Sequence, residues 1–129
     1  MNRITRRSFL QSAAAATGGL TVSTRLFGDN PPSERLRVAM IGTGNQAHYD
    51  LENIAAGGAE IAILCDVDER MTAKARGQFP KAEFVADFRR IMDRKDIDAV
   101  AVGTPDHLHA IASLLALQAG KHVFCEKPL

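Results

Sequence analysis

Arg37-Val38-Ala39-Met40-Ile41-Gly42-Thr43-Gly44-Asn45-Gln46-Ala47 is the stretch that decides the fold. Its apolar run, Val38 to Ile41, has the length and side chains of a strand buried on both faces, and it stops abruptly at Gly42. Gly42 and Gly44 can take backbone angles closed to other residues, so a tight turn fits there, and they place no side chain in the way of an incoming phosphate. Ala47 fills a third small position, where a helix must pack close to the strand it has just left. The peptide N–H groups that open such a helix form a ready anion site. The pattern is the dinucleotide-binding fingerprint with alanine in its last slot. Glycine pairs also make plain turns, so the neighbouring segments carry the weight.

Working outward, residues 45–56 read as a helix with Ala47, Leu51, Ile54 and Ala55 on one face, stopped by Gly57-Gly58. A second apolar strand, 60–65, ends in Asp66, 24 residues after Gly42. That spacing suits an acidic residue bonding the adenosine ribose. A carboxylate accepts from a 2′-hydroxyl and repels a 2′-phosphate, so NAD is expected over NADP, with Arg70 near enough to admit the phosphate. Asp66 also reads as the N-cap of the next helix, and the two roles are compatible. Further elements come in alternation: a helix at 68–78, a brief strand at 83–85, a short amphipathic helix carrying Phe88, Ile91 and Met92, and a strand at 97–102.

Residues 106–119 make the clearest helix, with Leu108, Ile111, Ala112, Leu115 and Ala119 at helical spacing and Thr104 and Pro105 as cap and first turn. The last strand is 122–125. Alternating strands and helices without repeats predict an α/β fold, a Rossmann-type doubly wound parallel sheet of five strands with right-handed crossovers. Ligands of such sheets bind beyond the carboxyl ends of the strands, which here carry 42–46, Asp66, Thr104-Pro105 and Glu126-Lys127-Pro128.

The 129 residues suffice for one domain with a core, not two. Net charge is +1, but Arg3, Arg6, Arg7 and Arg25 stand against Asp29 alone in the first 29 residues, leaving 12 basic and 14 acidic groups beyond. With no basic stripe, a nucleic-acid partner is not expected. Cys65 and Cys125 fall near the ends of strands two and five, roughly 14 Å apart in a doubly wound order, too far for a disulfide. No metal-ligand spacing occurs.

Thr5-Arg6-Arg7-Ser8-Phe9-Leu10-Gln11 resembles a twin-arginine export signal, and the small-residue stretch after it is too short and polar for a stable membrane span. The competing reading is an N-terminal amphipathic helix of the fold. The first reading divides the chain into a signal at 1–29, a linker at 30–33 and the nucleotide domain at 34–129. It implies the twin-arginine translocation machinery as a partner and a periplasmic location. No clean A-x-A site precedes Gly28, so cleavage is expected to be inefficient or absent.

At Gly103-Thr104-Pro105-Asp106-His107-Leu108-His109 and Gly120-Lys121-His122-Val123-Phe124-Cys125-Glu126-Lys127-Pro128-Leu129, the chain resembles the N-terminal domain of the glucose-fructose oxidoreductase/inositol dehydrogenase (Gfo/Idh/MocA) family. The Glu-Lys-Pro triplet is the most specific mark. The resemblance implies that Gly42, Thr43, Gly44 and Ala47 hold the pyrophosphate turn, with Asn45 and Gln46 supplying N–H groups and Asp66 taking the ribose. It places Thr104, Pro105 and His109 on the nicotinamide side. It makes Lys127 the residue beside the reacting sugar carbon, with Glu126 and Pro128 shaping that corner; a solvated surface lysine is the bland alternative. His107 reads as an exposed helix-face histidine, and His48 and His122 as packing or surface groups.

The implied activity is hydride transfer between a sugar or polyol carbon and nicotinamide. Exported relatives also include glycosidases that oxidise the sugar transiently and eliminate the aglycone. The family's C-terminal α+β substrate domain, through which members usually pair, is absent from the 129 residues, so the chain reads as a fragment and its oligomeric state is open. A non-catalytic nucleotide-binding fragment is the third reading.

Overall fold

The computed structural model describes residues 34–128, and the signal and linker expected at 1–33 lie outside them. Five strands, β1 (Arg37–Ile41), β2 (Glu60–Cys65), β3 (Glu83–Val85), β4 (Ala99–Val102) and β5 (His122–Cys125), form one sheet. All ladders are parallel and the order is β3-β2-β1-β4-β5. The chain runs outward from β1 to one edge, then returns to β1's other side, as a doubly wound sheet requires. Helices α1 (Gln46–Ala56), α2 (Glu69–Gln78), α3 (Arg89–Met92) and α4 (His109–Gln118) make the connections.

Two cores arise from the strand period of two. Val38 and Met40 of β1 join Leu64 and Ala101 beneath Ala47 and Leu51 of α1 and Ala75 of α2. Ala39 and Ile41 face the other way, joining Ile63, Val100 and Val102 against Ile91 of α3 and Ala112 and Ala116 of α4. Both faces of β1 are thus covered, which is why its sequence shows no polar alternation. Cys65 and Cys125 lie on β2 and β5, three spacings apart, and both are free. Burial pushes the Cys65 thiol up to about 12, so it packs as a small apolar group. Among the described residues no helix is long and apolar enough to cross a membrane.

Two expectations need correction. The segment after β4 is not one helix from 106: Pro105 is extended, Asp106–Leu108 form a 3₁₀ turn, and α4 begins at His109. Its buried side is His109, Ala112, Ser113 and Ala116, while Ile111, Leu114 and Leu117 are exposed. The helix is apolar nearly all round, so spacing alone cannot choose a face. The small side chains turn inward because Val100 and Val102 already fill the space beneath. The N-cap of α2 is Asp68, not Asp66: its carboxylate accepts from the Arg70 backbone N–H.

Candidate functional site

Backbone hydrogen bonds carry the sheet ladder one residue past the strand ends, into the loops that bear the polar groups. Gly42 N–H donates to Cys65 O at 2.8 Å, Gly103 N–H to Ile41 O at 2.8 Å, and Glu126 N–H to Val102 O at 2.9 Å. Three loops are therefore fixed side by side along the carboxyl edge. Gly42 has φ +84°, and a Cβ there would sit 2.6 Å from Gly103 O. A Cβ on Gly103 would sit 2.5 Å from the Ala47 Cβ, so α1 reaches the sheet only because both loops lack side chains. The other residue of the turn with positive φ is Asn45 (φ 48°, ψ −122°), not Gly44. Gly44 is needed for space, since its Cβ would lie 3.1 Å from Met71 Sδ.

These loops enclose a cavity of about 410 Å³ lined by Gly42, Gly44, Asn45, Gln46 and Ala47, by Asp66, Val67 and Met71, and by Gly103, Thr104, Pro105 and Leu108. The Asn45 side chain makes no cap, and no acidic residue stands in the first turn of α1. The His48 N–H donates to Asn45 O at 3.2 Å, and the N–H groups of Gln46 and Ala47, with the helix's partial positive charge, stay available to an anion such as a pyrophosphate. A larger hollow of about 650 Å³ lies at the opposite edge, lined by Arg94, Asp98 and Lys121 among others. There the Lys121 ammonium donates to the carbonyls of Arg94 and Ile97, a structural use.

Asp66 is built into the turn. Its Oδ2 accepts from Thr43 N–H at 3.0 Å and Thr43 Oγ1–H at 3.2 Å, and its Oδ1 from Asp68 N–H at 3.0 Å. Of roughly four acceptor positions on a carboxylate, one on Oδ1 stays open to a ribose hydroxyl. Thr43 is only 1 % exposed, so it acts by holding Asp66 and does not line the cavity. Arg70 pairs with Asp68 through Nη2 at 2.7 Å.

His109 sits beneath the site, not on its wall. It is 2 % exposed, with Nδ1 2.7 Å from Pro128 O and Nε2 2.7 Å from Thr104 O. Lys127, between Glu126 and Pro128, is exposed. Sequence reasoning missed Asp50. Its carboxyl is buried on α1, with one oxygen lacking a partner. Its pKa is raised by burial first, then by the charge of Glu126 and a hydrogen bond with it. The signal was there: an aspartate stands three residues after Ala47 on the face expected to be buried. His48 is also buried, its Nε2 3.3 Å from Glu52 one turn along.

The model of the Gfo/Idh/MocA oxidoreductase family, NAD-binding Rossmann fold, matches residues 36–129. The chain belongs to this family. Within it, the chain is 37% identical to the inositol 2-dehydrogenase/D-chiro-inositol 3-dehydrogenase of Shouchella clausii, over 73% of this chain and 28% of that protein. It is 28% identical to the alpha-N-acetylgalactosaminidase of Shewanella oneidensis, over 100% of this chain and 34% of the relative. The solved structure of myo-inositol dehydrogenase from Lactobacillus casei in complex with NAD(H) and myo-inositol superposes with a TM-score of 0.68 at 31% identity, covering 74% of this chain and 29% of that one. The chain thus spans about a third, or less, of the length of these relatives. What it carries is the family's NAD-binding domain.

Proposed function

We propose that the chain forms the cofactor-holding half of an NAD-dependent enzyme that oxidises a sugar or polyol at one carbon, with Lys127 as the group that manages the hydroxyl proton. The observation that carries this reading is the convergence of the glycine turn, Asp66 and the Glu126-Lys127-Pro128 strap on one edge, each fixed by a ladder hydrogen bond or by Thr43. When bound, the nicotinamide supplies the acceptor for the hydride leaving the sugar carbon. The amine of Lys127 bonds the hydroxyl on that carbon and takes its proton as the C–H electron pair departs. Gly42, Gly44 and the opening N–H groups of α1 hold the pyrophosphate, and Asp66 takes the ribose.

The ribose role has a direct test. Asp66→Ala removes a charged acceptor, a loss of about 1.5–3 kcal/mol, so NAD should bind roughly 10- to 100-fold more weakly. NADP, whose 2′-phosphate gains nothing from the carboxylate, should lose much less. Calorimetric titration of both nucleotides measures this, and equal losses would remove the ribose assignment.

A second reading is favoured by one comparison: the Shewanella glycosidase aligns over the entire chain, whereas the inositol dehydrogenase aligns over 73%. In that case the same oxidation is transient and is reversed after the aglycone leaves. Turnover by the intact protein separates the two. Net NADH formation supports the dehydrogenase; aglycone release without net NADH supports the glycosidase. We further propose export by the twin-arginine route, on the strength of residues 5–11. A reporter fused after Gly28 should leave the cytoplasm, and Arg6→Lys with Arg7→Lys should retain it.

A further inference from the structure

We infer that His109 is a buried imidazolium whose two N–H groups clasp the carbonyls of Thr104 and Pro128, positioning Lys127 by locking the strap that carries it to the loop after β4. Both ring nitrogens approach a carbonyl oxygen at 2.7 Å. A carbonyl can only accept, and a neutral imidazole has one N–H and one lone pair. A neutral ring would therefore aim its lone pair at one of the two oxygens, and the ring is buried beyond the reach of bulk water. Two such contacts at charge-assisted distance call for a proton on each nitrogen.

The surroundings agree. The charged groups that face the ring are Asp106 on the 3₁₀ turn and Glu126 on the strap, both acidic. Beyond Glu126 stands Asp50 of α1, a buried carboxyl whose pKa is raised by burial and then by the charge of Glu126. The ring's pKa is raised above the ordinary imidazole value, chiefly by the Pro128 carbonyl; burial opposes this, and Thr104 and the two acids add to it. The clasp joins the same two loops again, beyond the last ladder bond between them. On the strap, the last ladder bond is at Glu126, so beyond it the His109 contact restrains Lys127 from its C-terminal side.

A group whose pKa is higher folded than unfolded stabilises fully below its unfolded value, about 6.5 for histidine. That contribution is lost as pH rises through the folded value. His109 should therefore keep both ring protons to a higher pH than a free imidazole does.

The experiment is NMR on the full chain labelled with ¹⁵N-histidine, from pH about 6.5 upward. The expected result is two protonated ring nitrogens on His109 at pH about 6.5, with the second proton lost only above the ordinary imidazole value. As that ring titrates, backbone order at Glu126 and Lys127 should fall while the amides of β1 and β2 hold. His109→Gln, which can reach only one carbonyl with its N–H₂ group, should show the loosened strap at every pH. A single neutral tautomer at pH about 6.5 would overturn the inference, as would loss of the proton, or the Gln variant, leaving Lys127 equally ordered. The ring's proton and the strap's order are read without turnover. They therefore stand or fall separately from the chemistry proposed for Lys127, on which only a pH effect on rate would rest.

Discussion

Lys127→Ala in the intact protein should leave NAD affinity within a small factor of the unchanged protein while turnover falls by about 10²- to 10⁴-fold, the usual contribution of a positioned acid–base group. The split comes from the geometry. In the proposed arrangement the nucleotide is held by the glycine turn, α1 and Asp66, none of which depends on the side chain of Lys127, an exposed group at the far end of the rim. Binding by calorimetry and turnover under saturating substrate measure the two separately. A large loss of NAD affinity with unchanged saturated turnover would make Lys127 a cofactor ligand. Full activity would return it to an ordinary surface lysine.

Gly42→Ala should be the most damaging change to the fold. The backbone there is left-handed, which costs a residue with a Cβ about 1–2 kcal/mol. The new methyl would also lie 2.6 Å from Gly103 O, 2.7 Å from Gly103 C and 2.8 Å from Thr104 N, all backbone atoms held by the β1–β4 ladder. Relieving that contact adds about 1–3 kcal/mol. The expected loss is thus on the order of 3 kcal/mol, lowering the melting temperature by more than about 10 °C in a domain of this size. Gly58→Ala is the control: φ is +94°, yet no atom lies within 4 Å of the added Cβ. It should cost about 1–2 kcal/mol, the backbone part alone. If the two variants melt together, the close approach of the Gly42 and Gly103 loops is not what holds α1 against the sheet.

Much of this architecture could be read from the chain. The unbroken apolar runs Val38 to Ile41, Ile61 to Leu64 and Ala99 to Val102 became the three central strands, because only residues buried on both faces lack alternation. Gly42, Ala47 and Asp66 converge where the fingerprint spacing put them, with a cavity between. What was not legible depended on contacts distant in sequence. No pattern shows that Gly103 is the partner of Gly42 and Ala47, since 61 residues separate Gly42 from Gly103. The face of α4 was ambiguous because Ile111, Leu114 and Leu115 offer apolar stripes in several directions, and the choice is made by the valines beneath it. The family resemblance placed His109 on the nicotinamide side with Thr104 and Pro105. Its ring instead turns inward to the carbonyls of Thr104 and Pro128, and the second of those lies 19 residues further on. Asp50 escaped notice because a lone acid on an apolar face reads as noise until Glu126 is seen beside it.

In the proposed function NAD lies along the carboxyl edge of the sheet, between the glycine turn and the strap. Amide NMR of the chain titrated with NAD tests it directly. Saturable shifts are expected at Gly42, Gly44, Asn45, Gln46, Asp66 and Thr104, with the opposite edge unmoved. Shifts centred on Arg94, Asp98 and Lys121, or none in a chain whose sheet is intact, would contradict it.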